Sequence, residues 1–151
     1  MTKLHLASLL LGSLTITACT DDDESRRDDF VGVWGYESGQ FEINCGGQIM
    51  QFPLDASLTE TFTLGEGTSL AKSDSAGCAG ITFELSGDTA ELAPVPQSCT
   101  IPNQGTSTAT SYTITLSADG ETLTTASLGT FQAPGAPTTC AFTGSGTLVR
   151  L

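Results

Sequence analysis

The feature that most constrains the fold is a recurrent alternation of apolar residues with threonine and serine. Residues 111–116 read Ser-Tyr-Thr-Ile-Thr-Leu, which places Tyr112, Ile114 and Leu116 on one face of an extended chain, because successive side chains of a strand point to opposite sides. Residues 61–64 and 81–85 alternate in the same way. No stretch after residue 30 has apolar residues at the spacing of an amphipathic helix. The sequence therefore predicts an all-β domain over residues 31–151.

Turn-forming residues divide this region into about eight strands. The predicted strands are residues 31–44, 48–64 with an interruption at Pro53, 69–73, 80–85, 89–93, 108–116, 122–132 and 138–150. Short connections favour antiparallel neighbours, and closing the sheet on itself removes both exposed edges. We predict a small antiparallel meander barrel, with a β-sandwich as the alternative.

The N-terminal segment predicts export. Lys3 precedes a mostly apolar stretch over residues 4–16, and the first 18 residues are typical of a signal peptide with a helical apolar core. The run Ile-Thr-Ala-Cys at residues 16–19 resembles the lipobox of bacterial lipoproteins. That resemblance implies cleavage before Cys19 and attachment of lipid to it. The alternative is an ordinary signal peptide cut near Ala18, which leaves Cys19 unmodified.

A short polar segment separates Cys19 from the β-domain. Residues 20–29 contain no apolar side chain, so residues 19–30 are predicted to form a disordered acidic tether rather than a calcium site. Thr20 follows the cysteine where an aspartate is the familiar signal for retention in the inner membrane. The resemblance therefore implies anchoring to the outer membrane of a Gram-negative bacterium.

The cysteine count fits this organisation. The chain has five cysteines, and setting Cys19 aside leaves four, which in an exported protein indicates two disulfides rather than free thiols or a zinc site. Pairing the first and last strands with Trp34 opposite Arg150 puts Cys45 opposite residue 139, next to Cys140. The hairpin that turns at residues 86–88 brings Cys78 near Cys99, which is expected in a loop after Pro96. We predict Cys45–Cys140 and Cys78–Cys99.

The start of the first strand carries a second resemblance. Phe30-Val31-Gly32-Val33-Trp34 is similar to the Gly-x-Trp signature of lipocalins and related calycin barrels. The resemblance implies that Gly32 and Trp34 close the floor of the barrel and that Arg150, on the last strand, packs across the indole. It also implies an interior that can hold a small apolar ligand.

Charge and composition restrict the chemistry. Seventeen acidic residues against five basic ones give a net charge of -12, which disfavours nucleic acid as a partner. The only histidine is His5, inside the predicted signal peptide, so the mature protein lacks the commonest general base and metal ligand. We expect no cofactor, no metal site and no catalytic residues. Lys72 is expected on the surface in a turn, and five glutamates are expected to face solvent: Glu37, Glu42, Glu60, Glu84 and Glu91.

These observations predict a non-catalytic binding or structural lipoprotein of the cell envelope. Its expected partners are the membrane, through the lipid, and an envelope protein or a small apolar ligand. The first alternative is a lipocalin-like carrier, which requires a cavity inside the barrel. The second is a carboxylate-based hydrolase, which requires two carboxyl groups converging in a cleft.

Overall fold

A computed structural model describes residues 26–75 and 77–151. The predicted signal peptide, Cys19 and residues 20–25 lie outside the described residues. One short helix, α1, spans Arg27–Phe30. The ten strands are β1 Gly32–Cys45, β2 Gln48–Pro53, β3 Thr59–Leu64, β4 Ser69–Asp74, β5 Ala79–Ser86, β6 Thr89–Leu92, β7 Gln97–Ile101, β8 Gly105–Leu116, β9 Thr122–Gln132 and β10 Cys140–Arg150.

Eight strands close into an antiparallel barrel in the order β1, β3, β4, β5, β6, β8, β9, β10, and β10 pairs with β1 to complete the circle. The predicted meander barrel is confirmed, and the sandwich is excluded. The two remaining strands flank the barrel. β2 pairs with the second half of β1, and β7 pairs with the first half of β8.

The seam between β1 and β10 follows the predicted register at first. Trp34 lies opposite Arg150. A β-bulge between Tyr36 and Ser38 then shifts the pairing by one residue, so that Asn44 lies opposite Ala141. Cys45 is therefore level with Cys140 rather than with residue 139, and the two form a disulfide.

The segment after Pro94 and Pro96 differs from the prediction. Residues 97–101 form β7, so Cys99 lies on a strand and not in a loop. The Gln97 side chain holds β7 against β5, because it accepts the backbone N–H of Thr82 at 2.9 Å and donates to its carbonyl at 2.7 Å. Cys99 and Cys78 form the second disulfide, which agrees with the predicted pairing. The prediction of one interrupted strand over residues 48–64 is also replaced by two strands, β2 and β3.

The strands differ in length, and this divides the barrel into two halves. β3 to β6 have four to eight residues, whereas β1, β8, β9 and β10 have 11 to 14. All eight enclose the closed end, at which β1 begins and β10 finishes. Only the long strands, with β2 and β7 at their sides, continue to the open end. The largest fully buried side chains fill the closed half: Phe30, Trp34, Phe62, Leu70, Phe83, Ile114, Leu116, Leu123 and Leu148.

Helix α1 covers the closed end, which corrects the prediction that the tether extends to residue 30. Phe30 is fully buried, and its carbonyl accepts the indole N–H of Trp34 at 2.9 Å. Arg26 donates to the carbonyl of Ser117 at 3.0 Å and pairs with Asp88. The folded domain therefore includes residues from Arg26 onward, because one apolar side chain and an arginine anchor this segment to the barrel.

Trp34 and Arg150 occupy the closed end together. The guanidinium carbon of Arg150 lies 4.4 Å from the centre of the indole ring, within the range of a cation–π contact. Arg150 also donates to the carbonyl of Val31 at 2.8 Å and to that of Asp29. Gly32 has a φ of 140°, and a Cβ there would lie 3.1 Å from the Arg150 guanidinium. A side chain at position 32 would therefore be strained and would crowd this contact.

Candidate functional site

A cavity of about 690 Å³ occupies the open half of the barrel. Its walls come mainly from the long strands, from β2 and from the link between β2 and β3. The lining surface is mainly apolar, and 11 of the 28 lining residues supply aliphatic, aromatic or thioether side chains: Phe41, Ile43, Met50, Phe52, Leu54, Leu58, Ile81, Ile101, Ala109, Phe131 and Phe142. A space of this volume is in the usual range for small-molecule sites.

A polar cluster lies where the cavity meets the packed closed half. Glu60 on β3 is 3% exposed and Lys72 on β4 is 8% exposed, and Nζ of Lys72 is 2.8 Å from Oε1 of Glu60. Tyr36 donates its hydroxyl proton to Oε1 of Glu60 at 2.7 Å. The hydroxyl of Tyr112 is 2.8 Å from Oε1 and 2.9 Å from Oε2, so both carboxylate oxygens accept hydrogen bonds.

The strand pleat explains why these charges point inward. On β3, Glu60 is two residues before the buried Phe62, and on β4, Lys72 is two residues after the buried Leu70. Side chains two residues apart share a face of a strand, so Glu60 and Lys72 point into the barrel like Phe62 and Leu70. Charged groups are rarely buried unless they are paired. Glu60 and Lys72 meet that condition through each other.

Electrostatics fix both tyrosines as proton donors. Burial and the neighbouring Glu60 carboxylate raise the pKa of Tyr36 well above its ordinary value of 10.0. The same causes raise the pKa of Tyr112. Lys72 also lies 4.6 Å from the centre of the Tyr112 ring and 3.3 Å from its hydroxyl oxygen. The two phenols therefore stay protonated and hold the Glu60 carboxylate in place.

Asp74 adds a second carboxylate to the floor of the cavity. It lies directly opposite Glu60 in the β3–β4 pairing, and its Oδ2 is 3.9 Å from Nζ of Lys72. Its Oδ1 accepts the backbone N–H of Cys78 at 2.9 Å. The Asp74 side chain is 21% exposed and lines the cavity. Two carboxylates thus share one ammonium, which leaves the floor with a formal charge of -1.

The rim of the cavity is apolar and open to solvent. All six residues of β2 are exposed, and Met50 and Phe52 from this strand line the cavity. Deeper in the wall, the rings of Phe41 and Phe142 are 5.2 Å apart. Both disulfides are at this end of the molecule. They fix β1 to β10 and β7 to the start of β5, and so hold the rim in place.

Two predictions about charged residues are wrong. Lys72 is not a solvated residue in a turn, and Glu60 does not face solvent, because both lie on inward positions of paired strands. Glu37, Glu84 and Glu91 are exposed as expected, and Glu42 accepts a hydrogen bond from Gln51 on the outer surface. Alternation with Phe62 and Leu70 was the signal that could have placed Glu60 and Lys72 inside.

The other predicted site residues lie away from the cavity floor. Gly32, Trp34 and Arg150 meet at the closed end, and Cys19 is outside the described residues. Within residues 26–75 and 77–151, no group of three histidine, cysteine or acidic side chains is arranged to hold a metal ion. In the same part of the chain, no helix has the length and apolar character needed to cross a membrane.

Comparisons of the chain with protein-family models, with curated proteins and with solved structures found no match.

Proposed function

We propose that this chain is an exported lipoprotein, anchored through Cys19, whose barrel binds a small amphipathic molecule. The observation that carries the proposal is the cavity of about 690 Å³ with apolar walls and a polar floor. The walls would bury the apolar part of the ligand, and the floor would orient its polar group. Such a division is typical of small-molecule sites.

The contrast between the two halves favours binding over a purely structural role. An eight-stranded barrel can be filled by its own side chains or can hold one small ligand. The closed half is filled by side chains that are fully buried. The open half leaves space and places an ion pair beside it, although burying charges costs free energy. A protein selected for stability alone would gain by filling this space.

The state of Glu60 favours binding over hydrolysis. A carboxylic acid catalyst needs a proton to donate, and a carboxylate base needs a free oxygen. Glu60 pairs with Lys72 and accepts hydrogen bonds at both oxygens. These contacts occupy both of its oxygens, which suits it to position other groups rather than to transfer protons.

The position of α1 bears on the proposed anchor. Arg26 at the closed end is seven residues after Cys19, and seven extended residues span at most about 25 Å. A lipid on Cys19 would therefore keep the closed end near the bilayer and favour a cavity that opens away from it. The ligand would then enter from the aqueous side.

The binding test uses the mature protein, purified from membranes and reconstituted in nanodiscs. We expect the neutral fluorophore N-phenyl-1-naphthylamine to bind with one-to-one stoichiometry above the signal of empty nanodiscs. Ser127→Trp puts an indole where Ser127 lines the cavity, and should remove this binding. Ala109→Phe is a second blocking variant, in case the first does not fold. Equal binding by wild type and both folded variants would rule out the cavity as the site.

The anchor is tested separately. Intact-mass measurement of the membrane form should show a chain that begins at Cys19 and carries acyl groups, and Cys19→Ala should stay unprocessed. A mature chain with an unmodified Cys19 would disprove the lipoprotein proposal and leave the binding proposal unaffected.

A further inference from the structure

We propose that the ligand is an amphipathic amine whose ammonium group is bound by Asp74 at the floor of the cavity. This inference rests on the proposed binding function and adds to it the chemical class of the ligand. It follows from the charges on the floor, from the distribution of cations in the barrel and from the side chains that form the wall.

The floor has one carboxylate more than it has cations. Lys72 contacts Glu60 at 2.8 Å and hydrogen-bonds Tyr112 at 3.3 Å. Its 3.9 Å separation from Oδ2 of Asp74 is longer than a hydrogen bond. Like charges at directly opposed positions of two strands are unfavourable, and Lys72 compensates mainly Glu60. An ammonium beside Asp74 would supply the second counter-ion.

An anionic ligand is disfavoured at the same place. A carboxylate that approaches Lys72 must come close to both Glu60 and Asp74, which lie within 4 Å of the same ammonium. It would also have to compete with Glu60 for the lysine protons. The Coulomb repulsion and the lost hydrogen bond would both oppose its binding.

No other cation offsets this charge in the open half of the described barrel. The four basic residues in residues 26–75 and 77–151 are Lys72 and three arginines. All three arginines bind backbone carbonyls around the closed end. A concave site bounded by low-dielectric walls focuses the field of its charges, so the field at the floor attracts cations.

The wall fits an organic cation better than a hydrated metal ion. Tyr112, Phe41, Phe131 and Phe142 line the same cavity, and aromatic faces attract ammonium groups. The apolar walls would bury the carbon skeleton of the amine, whereas a metal ion would require a set of oxygen ligands that replaces its water. The site therefore selects a molecule with one basic nitrogen and an apolar body.

The experiment compares three probes with the same carbon chain: decylamine, decanol and decanoate. Each displaces N-phenyl-1-naphthylamine from the mature protein in nanodiscs, and Ser127→Trp gives the background from partition into lipid. We expect decylamine to bind about tenfold more tightly than decanol, and decanoate to bind more weakly than decanol, as one charge-assisted hydrogen bond would produce.

Asp74→Asn tests the residue that selects the amine. It keeps an acceptor for the backbone N–H of Cys78 and removes the charge, so it should weaken decylamine binding about tenfold and leave decanol unchanged. Asp55→Asn is the matched control. Asp55 is exposed, accepts a hydrogen bond from the backbone N–H of Ser57 and is not among the residues lining the cavity. Asp55→Asn therefore removes the same charge from the protein and should leave the ratio of decylamine to decanol affinity unchanged.

The possible outcomes separate the two proposals. Equal affinity for decylamine and decanol in the wild type would overturn the amine inference while the cavity remains a binding site. Equal weakening of decylamine by Asp74→Asn and Asp55→Asn would also overturn it, because the preference would then come from net charge. Failure of all three probes and of the fluorophore to bind would instead remove the proposed function. The ratio of decylamine to decanol affinity in the wild type does not depend on Asp74→Asn, so a failure of that variant to fold would not block the test.

Discussion

The two ends of the barrel are built differently: all eight strands enclose the closed end, whereas only the four long strands, with β2 and β7 beside them, reach the open end. At the closed end, inward positions carry apolar side chains that are fully buried. The Trp34 indole donates a hydrogen bond to the carbonyl of Phe30 and packs against the Arg150 guanidinium. At the open end, the short strands have stopped, and the inward positions next to this gap carry charges. The difference shows that strand length, more than strand pattern, determines where this barrel is filled and where it is hollow.

Different interactions stabilise the two ends. Burial of apolar side chains supplies most of the cohesion of the closed end, since apolar surfaces there are removed from water on all sides. The open end relies on two disulfides, one ion pair and two tyrosine hydrogen bonds. Substitutions at the two ends should therefore fail in different ways and by different amounts.

The largest effect should come from the closed end. Trp34→Ala removes a fully buried indole and should lower the free energy of unfolding by about 3–5 kcal/mol. Phe52→Ala at the open end removes an aromatic ring that is 46% exposed and should cost less than about 1 kcal/mol. Denaturant unfolding followed by far-ultraviolet circular dichroism measures both. Losses of equal size would contradict the division between a packed end and an open end.

The ion pair should matter nearly as much as the indole. Glu60→Gln keeps an acceptor for the tyrosines but leaves the buried Lys72 ammonium with only the longer, 3.9 Å contact to Asp74, so we expect a loss of about 3 kcal/mol. Adding Lys72→Met removes this weakly compensated charge and should restore most of the stability. The four proteins of this double-mutant cycle are compared by denaturant unfolding. If the double variant were as unstable as the sum of the single ones, the two charges would not be coupled.

High pH should weaken the open half through its tyrosines. Their raised pKa values mean that above about pH 10 the unfolded chain loses protons that the folded chain keeps, so stability falls as pH rises, by up to about 1.4 kcal/mol per pH unit for each tyrosine. The effect is absent below that pH, where both states are protonated. Tyr36 and Tyr112 are the only tyrosines in the chain, so tyrosinate absorbance should appear together with unfolding.

The control for this pH dependence is the double variant Tyr36→Phe, Tyr112→Phe. It retains Glu60 and Lys72, and its unfolding free energy should fall less steeply with pH than that of the wild type. Tyrosinate absorbance that develops in the wild type at an ordinary pH, before any loss of structure, would show that the phenols are not held by Glu60.

Much of the fold could be predicted from the sequence, because a period of two residues specifies strands and an even set of cysteines limits their register. The bulge after Tyr36 could not be predicted from that pattern, since an extra residue in one strand leaves the alternation on either side intact. The strand at residues 97–101 was missed because two prolines precede it and its sequence has no apolar alternation; it pairs with β8 through the backbone, and the Gln97 side chain holds it against β5.

The candidate site was predicted less well, for a physical reason. Hydrophobicity alone assigns a glutamate and a lysine to the surface. Only the two-residue spacing from Glu60 to Phe62 and from Leu70 to Lys72 indicates that these charges point into the barrel. The cavity depends on the short strands ending before the long ones, and on β2 and β7 bordering the gap. The cavity is therefore formed only when the strands are assembled, and no single segment of the sequence indicates it.

The smallest expected effect concerns the cap on the closed end. Arg26 bonds to Asp29 at 3.3 Å, to Asp88 and to the carbonyl of Ser117, but both aspartates are about half exposed. Exposed ion pairs contribute little, so Arg26→Ala should lower the unfolding free energy by about 0.5–1 kcal/mol, and Arg26→Lys by less. The packing of Phe30, rather than these charges, should hold α1 in place, and the fluorescence of Trp34 should stay that of a buried indole in both variants. A loss well above this range, with a change in that fluorescence, would mean that the arginine positions the cap and that polar contacts stabilise the closed end as they do the open one.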